Sequence, residues 1–159
     1  MKICFITIIL LFIASLAVSQ LSSVLKLRSD SIEFIKSAMR KDGEVTSYAT
    51  GYNAKISKQY LRFLFLLETL NNNELLELTK DSSGCLRVYA YACLDYKRCK
   101  EINKIKFVLM QDTSLVPVMI GCGGGNVNIK YLVQKVTFYN RKSIKSQLKD
   151  YPREWIFDL

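Results

Sequence analysis

Cysteines, a glycine run around one of them and two lysine-rich stretches are the residues here with most chemistry to offer. No histidine accompanies them. That excludes Ser-His-Asp and Cys-His nucleophile designs, and every zinc site built on imidazole. Cys85, Cys93, Cys99 and Cys122 contain no pair spaced closely enough for a four-thiolate zinc site, so no metal ligand is assigned. Gly121-Cys122-Gly123-Gly124-Gly125 follows the apolar run LVPVMI, the setting of a nucleotide loop. However, Asn126 stands where G-x-G-x-x-G needs its last glycine, and no Gly-Lys-Ser/Thr follows. The glycine run is therefore expected to be a loop. Cys122 is the thiol whose exposed backbone N–H neighbours would favour a thiolate, but it lacks a histidine base. Glu74 and Glu77 share one face of an expected helix, the usual place for solvated carboxylates, so they anchor no hydrolase reading. The expectation is a protein that is not an enzyme and uses no cofactor.

The N-terminus says where the cysteines would work. Lys2 precedes the apolar run 3–13, and Ala17-Val18-Ser19 offers small residues for a signal peptidase. Residues 1–19 therefore read as a signal peptide cut before Gln20, with a cut after Ala17 as the alternative. The competing reading is an uncleaved membrane anchor, but residues 3–18 fall short of the roughly 20 a spanning helix needs, so cleavage is expected, with no span remaining after it. The expected location is outside the cytoplasm, periplasmic or secreted. There, four cysteines permit two disulfides. Cys85 and Cys93 fall eight residues apart on one expected helix, about 12 Å, too far to bond. Two pairings remain, Cys85–Cys122 with Cys93–Cys99 or Cys85–Cys99 with Cys93–Cys122. Buried free thiols are an equal alternative.

The formal charge is +9, or +8 once Lys2 is removed. Such a protein is attracted to anionic surfaces, and export sets nucleic acid aside as a partner. Lys97, Arg98, Lys100, Lys104 and Lys106 surround Glu101 and read as a solvated face. Lys130, Lys135, Arg141, Lys142, Lys145 and Lys149 have no acid among them and are the candidate anion-binding residues.

The elements that must position these groups read mostly as helices. Leu21, Leu25, Ile32, Ile35 and Met39 recur at helical spacing over 21–40. Residues 41–56 carry Gly43, Gly51 and small polar residues and read as a loop. Ser57 caps a helix to about Asn71 that is apolar over most of its surface and should be the most buried. ELLELTKD, CLRVYAYACLDY, KRCKEINKIKFVLMQD and RKSIKSQLKD follow as further helices. Residues 115–120 fit a helix start or an extended run, and 127–139 fit either helix or strand, with helix favoured. The tail 151–159 is apolar enough, through Trp155, Ile156, Phe157 and Leu159, to dock on the domain and cap it.

Residues 75–94, LLELTKDSSGCLRVYAYACL, resemble a HEAT repeat. Leu75, Leu76 and Leu78 match its first helix, Asp81 its turn, Leu86-Arg87 the opening of its second helix, and Ala90, Cys93 and Leu94 its inner face. A second match follows 31 residues on at Asp112, where Pro117 replaces the repeat's arginine. The resemblance, over about 57–122, implies antiparallel helix pairs and a bond from Arg87 toward the next repeat's Asp112. The chain is also similar to small exported bacterial HEAT-like proteins of unassigned function. The expected fold is therefore all-α, a short α-solenoid in one domain over 20–159, with a basic part at 126–150. The expected role is a non-catalytic scaffold for protein–protein interaction. The alternative is a binder of anionic lipid or glycan at the cell envelope through 130–149.

Overall fold

The computed structural model describes residues 2–135 and 139–149, with side chains from Gln20 onward except that of Arg141. The chain divides into a unit of residues 1–35 and a unit of residues 36–159. Helix α1, Lys2–Asp42, runs unbroken through the expected cleavage junction. Of its expected buried stripe, Ile32, Ile35 and Met39 are buried, whereas Leu21 and Leu25 are exposed beside Val24 and Leu27. Among the described residues, no helix is long and apolar enough to cross a membrane. Arg40 and Lys41 in the last turn suit the negative end of the helix dipole. Gly43, at φ +66°, then donates its N–H to Met39 O at 2.9 Å, a left-handed cap that a side chain would strain.

The chain beyond Gly43 overturns the all-α solenoid. In order come β1 (Val45–Thr50), β2 (Lys55–Ile56), α2 (Lys58–Thr69), α3 (Asn72–Leu78), α4 (Gly84–Tyr96), α5 (Ile102–Leu109), β3 (Leu115–Gly121), β4 (Gly123–Asn128), α6 (Ile129–Lys135) and α7 (Arg141–Lys149). The strands form one mixed sheet in the order β2-β1-β3-β4. β1 and β3 run parallel, which demands a long crossover, and α2–α5 supply it. The α3–α4 pair that resembles a HEAT repeat is thus part of a β-α-β crossover, not one layer of a stack. Its second copy fails because the chain after Asp112 enters β3. Pro117 has no N–H to give, and the β1 ladder begins only beyond it, with Val45 opposite Val118.

Three segments read as loop or left ambiguous are strands. Val45-Thr46-Ser47-Tyr48 is rich in β-formers despite the glycines around it. LVPVMI buries Val116 and Val118 and exposes Leu115 and Pro117, the period of two expected of a strand. The glycine run is the hairpin joining β3 to β4, not an irregular loop. Ile120 pairs with Gly123 across a two-residue turn, and only its first central residue, Gly121, has positive φ (58°), the type II′ pattern. Of residues 127–139, the described part 127–135 divides between both readings, while 136–138 lie outside the described residues. Val127 and Asn128 end β4, and Ile129–Lys135 form α6.

Ser57 caps α2 by accepting from Tyr60 N–H, and Asn71 and Glu74 close a reciprocal capping box on α3. The core lies around α2 and α4. α4 contacts α2, α3, α5, α6, β1 and β3, and buries Leu86, Val88, Tyr89, Ala90, Cys93 and Leu94. Small residues let its neighbours approach. Tyr60, Phe63 and Tyr89 form a chain of ring contacts at 5.2 and 5.3 Å. Most polar groups inside find partners nearby, the atoms Arg62 Nε and Asn128 Oδ1 being exceptions among the described residues. Tyr89 Oη accepts from Thr46 N–H at 2.8 Å, and Gln59 Nε2 donates to Met39 O and Glu44 O, each at 3.1 Å.

Candidate functional site

Asp81, Arg87 and Asp112 meet at one junction. Each aspartate opens a turn and accepts the N–H two residues on, Asp81 from Ser83 and Asp112 from Ser114. Arg87, near the start of α4, ties the two turns together. Its guanidinium donates to Asp112 Oδ2 at 2.9 and 2.8 Å, to Asp81 O at 2.7 Å and to Ser82 O at 2.9 Å. Arg40 pairs with the Asp81 carboxylate through both Oδ atoms. Burial pushes the Asp81 carboxyl up, but bonds from Arg40 and Ser83 and the Arg40 and Lys36 charges outweigh it, so its pKa falls. At Asp112 burial is likewise outweighed, by Ser114 and Arg87. The junction is consumed by its own bonds and holds crossover and sheet in register.

The cysteines do not form a site. Cys85, Cys93, Cys99 and Cys122 are all free, and each sits in different surroundings, so neither expected pairing is made. Cys85 lies between Gln59 and Met39 O, and burial pushes its thiol up to about 12. Cys93 is fully enclosed, and burial raises its thiol further. Burial and a bond to Glu101, at 2.9 Å, also raise the Cys99 thiol. Cys122 is exposed at the hairpin tip, its sulfur 3.6 Å from Gly51 O. Among the described residues no group of acidic or cysteine side chains is placed to hold a metal.

The two lysine clusters differ. In the first, Lys97 donates to Leu70 O at 2.7 Å, and Lys100 and Lys104 act on the Glu101 carboxylate, whose pKa falls chiefly through the Cys99 bond and partly through these charges. In the second, α7 is held from within. Ile144 is buried, Gln147 accepts from Tyr60 Oη at 3.1 Å, and Asn140 caps the helix by accepting from Lys142 N–H. Tyr139, just before it, donates to Asp95 of α4. The outer face carries Lys142, Lys145 and Lys149, spaced three and four apart and therefore on one stripe, all exposed. Among the described residues, none of these three forms an ion pair.

No family model, curated protein or solved structure matches the chain. Function must therefore be read from geometry alone. α6 extends the set of exposed cations with Lys130 and Lys135, and the Lys135 ammonium lies 4.9 Å from the centre of the exposed Tyr131 ring. Tyr131 was not among the sequence candidates, although its spacing of four from Lys135 was the available signal. Arg141 belongs to α7, but its side chain lies outside the described residues, as does the apolar tail 151–159. A groove of about 330 Å³ between α3 and α5, lined by Leu76, Ile105, Val108 and Leu109, also had no sequence signal.

Proposed function

We propose that this is a non-catalytic binding protein that attaches to a polyanionic surface through the outer face of α6 and α7. The observation that carries the reading is the exposed stripe Lys142, Lys145, Lys149 on a helix whose inner face is anchored by Ile144 and Gln147. Anchoring fixes which face of the helix is outward, so the three lysines project from one side and can act together on an array of charges. Lys142 sits in the first turn of α7, where the helix dipole disfavours a cation, and a bound anion relieves that repulsion. No acid lies between Asp112 and Asp150 to compete for these charges. The Lys2, 3–13 and Ala17-Val18-Ser19 pattern supports export, which would put anionic lipid headgroups or acidic glycans within reach. The scaffold reading loses the concave solenoid face on which it rested.

Binding to phosphatidylglycerol vesicles, phosphatidylcholine vesicles and heparin tests the proposal. The protein should bind one or both anionic probes, ignore phosphatidylcholine and release at about 0.5 M salt, where charges are screened beyond about 4 Å. Preference between the two anionic probes identifies the source of the phosphate, sulfate or carboxylate groups. Full affinity in a Lys142→Ala/Lys145→Ala variant would overturn the proposal.

A further inference from the structure

Among the described residues β4 is an edge strand. It pairs with β3 along one side, and among the described residues no strand pairs with the other. The register shows which backbone groups face outward. Ile120 and Gly123 close the two-residue turn and so exchange hydrogen bonds, and in an antiparallel ladder bonded pairs then alternate. Val118–Gly125 and Val116–Val127 are the next bonded pairs, and Ile129 N–H continues the series by donating to Ser114 O at 3.0 Å. The N–H and C=O groups of Gly124 and Asn126 therefore point away from the sheet, as does the N–H of Asn128, whose C=O accepts the first bond of α6.

Edges of this kind are ordinarily guarded by lysine, proline, a bulge or brevity. The opposite edge, β2, is only two residues long. β4 is six residues long, regular in register, and carries neither charge nor proline. Two of its three glycines are not demanded by the fold. None of Gly123, Gly124 and Gly125 has positive φ. A Cβ on Gly125 would meet nothing within 4 Å, one on Gly123 would make an ordinary contact, and only Gly124 is tight, against Val118 O and Met119. Glycines inside a strand weaken it, and they mark places where another backbone comes close.

We propose that the free edge of β4 takes up an extended acidic segment of a partner protein as a fifth strand of the sheet. Main-chain bonds to Gly124, Asn126 and Asn128 supply the attachment, as in other strand-addition complexes. Charge selects the occupant. Residues 113–149 contain six lysines and arginines and no acid, and Lys130 stands exposed two residues beyond the strand. A second copy of a chain with formal charge +9 would be repelled from this edge, whereas an acidic strand is drawn to it.

The probe is a capped heptapeptide of alternating glutamate and valine, read by amide hydrogen exchange and NMR titration on the full chain. In the free protein the amides of Gly124, Asn126 and Asn128 should exchange fast and those of Gly125 and Val127 slowly. The peptide should protect the first three. Asn126→Pro removes one outward N–H and no bond to β3, and it should weaken binding about tenfold, the scale of one lost hydrogen bond with its neighbour disturbed. Gly125→Ala should bind as the parent does. Independently of any variant, a peptide N-methylated at alternate amides on its pairing edge should fail to bind the unaltered protein, and so should the lysine analogue. Unchanged affinity for the N-methylated peptide, protection confined to other residues, or no binding of the acidic peptide at millimolar concentration would overturn the proposal. So would a dimer seen by sedimentation at physiological salt and abolished by Asn126→Pro, since the edge would then belong to a second copy.

Discussion

The Arg87 junction and the outer face of α7 spend charge in opposite ways. At the junction two arginines meet two aspartates, and each guanidinium is bonded to a carboxylate fixed by its own turn. On α7 three lysines stand in one exposed stripe with no ion pair among the described residues. Charge that is half-buried and partnered determines where elements sit. Charge that is exposed and unpartnered does little for stability and remains available to a partner. Cationic side chains therefore carry architecture in one place and, on the proposed function, binding in the other, and the two roles should separate under mutation.

The largest separation should come from paired substitutions. Lys142→Ala/Lys145→Ala should weaken binding to phosphatidylglycerol vesicles about thirtyfold, at about 1 kcal/mol per lysine near an anionic surface. Its unfolding free energy should stay within about 0.5 kcal/mol of the parent. Arg87→Ala should do the reverse, costing about 3 kcal/mol by stranding the half-buried Asp112 carboxylate, with vesicle affinity per folded molecule unchanged. Urea unfolding and flotation read the two effects separately, and a variant that moved both together would break the comparison.

Acid should sharpen it. Asp81 and Asp112 are held below the ordinary aspartate value near 4 in the folded protein. Groups with depressed folded values contribute stability that is fully present above the unfolded value and is lost as pH falls through the folded one. Stability from the junction should therefore be constant above about pH 4.5 and decline below about pH 4, and Asp112→Asn should flatten that decline. A smaller effect belongs to Ser57→Ala, which removes the α2 cap and should cost about 1 kcal/mol. On the chemical side, of Cys85, Cys93, Cys99 and Cys122 only the exposed Cys122 should be alkylated in the native state. Rapid labelling of Cys85 would contradict its enclosure.

Helices were legible because their signals are local. Ser57 before an apolar run marks the start of α2, and the leucines of ELLELTKD mark α3, whose capping box of Asn71 and Glu74 went unread. The candidate lysines of α7 could be read from spacing and from the missing acids. The sheet was not legible because its evidence is distributed. β1 holds β-formers but is flanked by Gly43 and Gly51, which end one element and turn the next. β4 is glycine-rich and acquires its strand character only from pairing with β3, 120 opposite 123. LVPVMI fitted a helix start as well as an extended run, and its Pro117 stands just before the β1 ladder begins, where a missing N–H costs nothing. The HEAT resemblance captured a real local arrangement, α3 against α4 with Arg87 reaching Asp112. It failed at the next element because a two-helix motif does not say what its neighbour will be.

The central claim is that location, not net charge, makes α7 the binding face. Two charge reversals of equal size decide it: Lys142→Glu/Lys145→Glu on α7 and Lys100→Glu/Lys104→Glu beside and on α5. Each changes the formal charge by four, and all four side chains are exposed. Measured by phosphatidylglycerol-vesicle flotation and heparin retention at one salt concentration, the α7 variant should lose binding while the α5 variant keeps most of it. Equal loss in both would show that binding follows overall charge and that α7 is not the site.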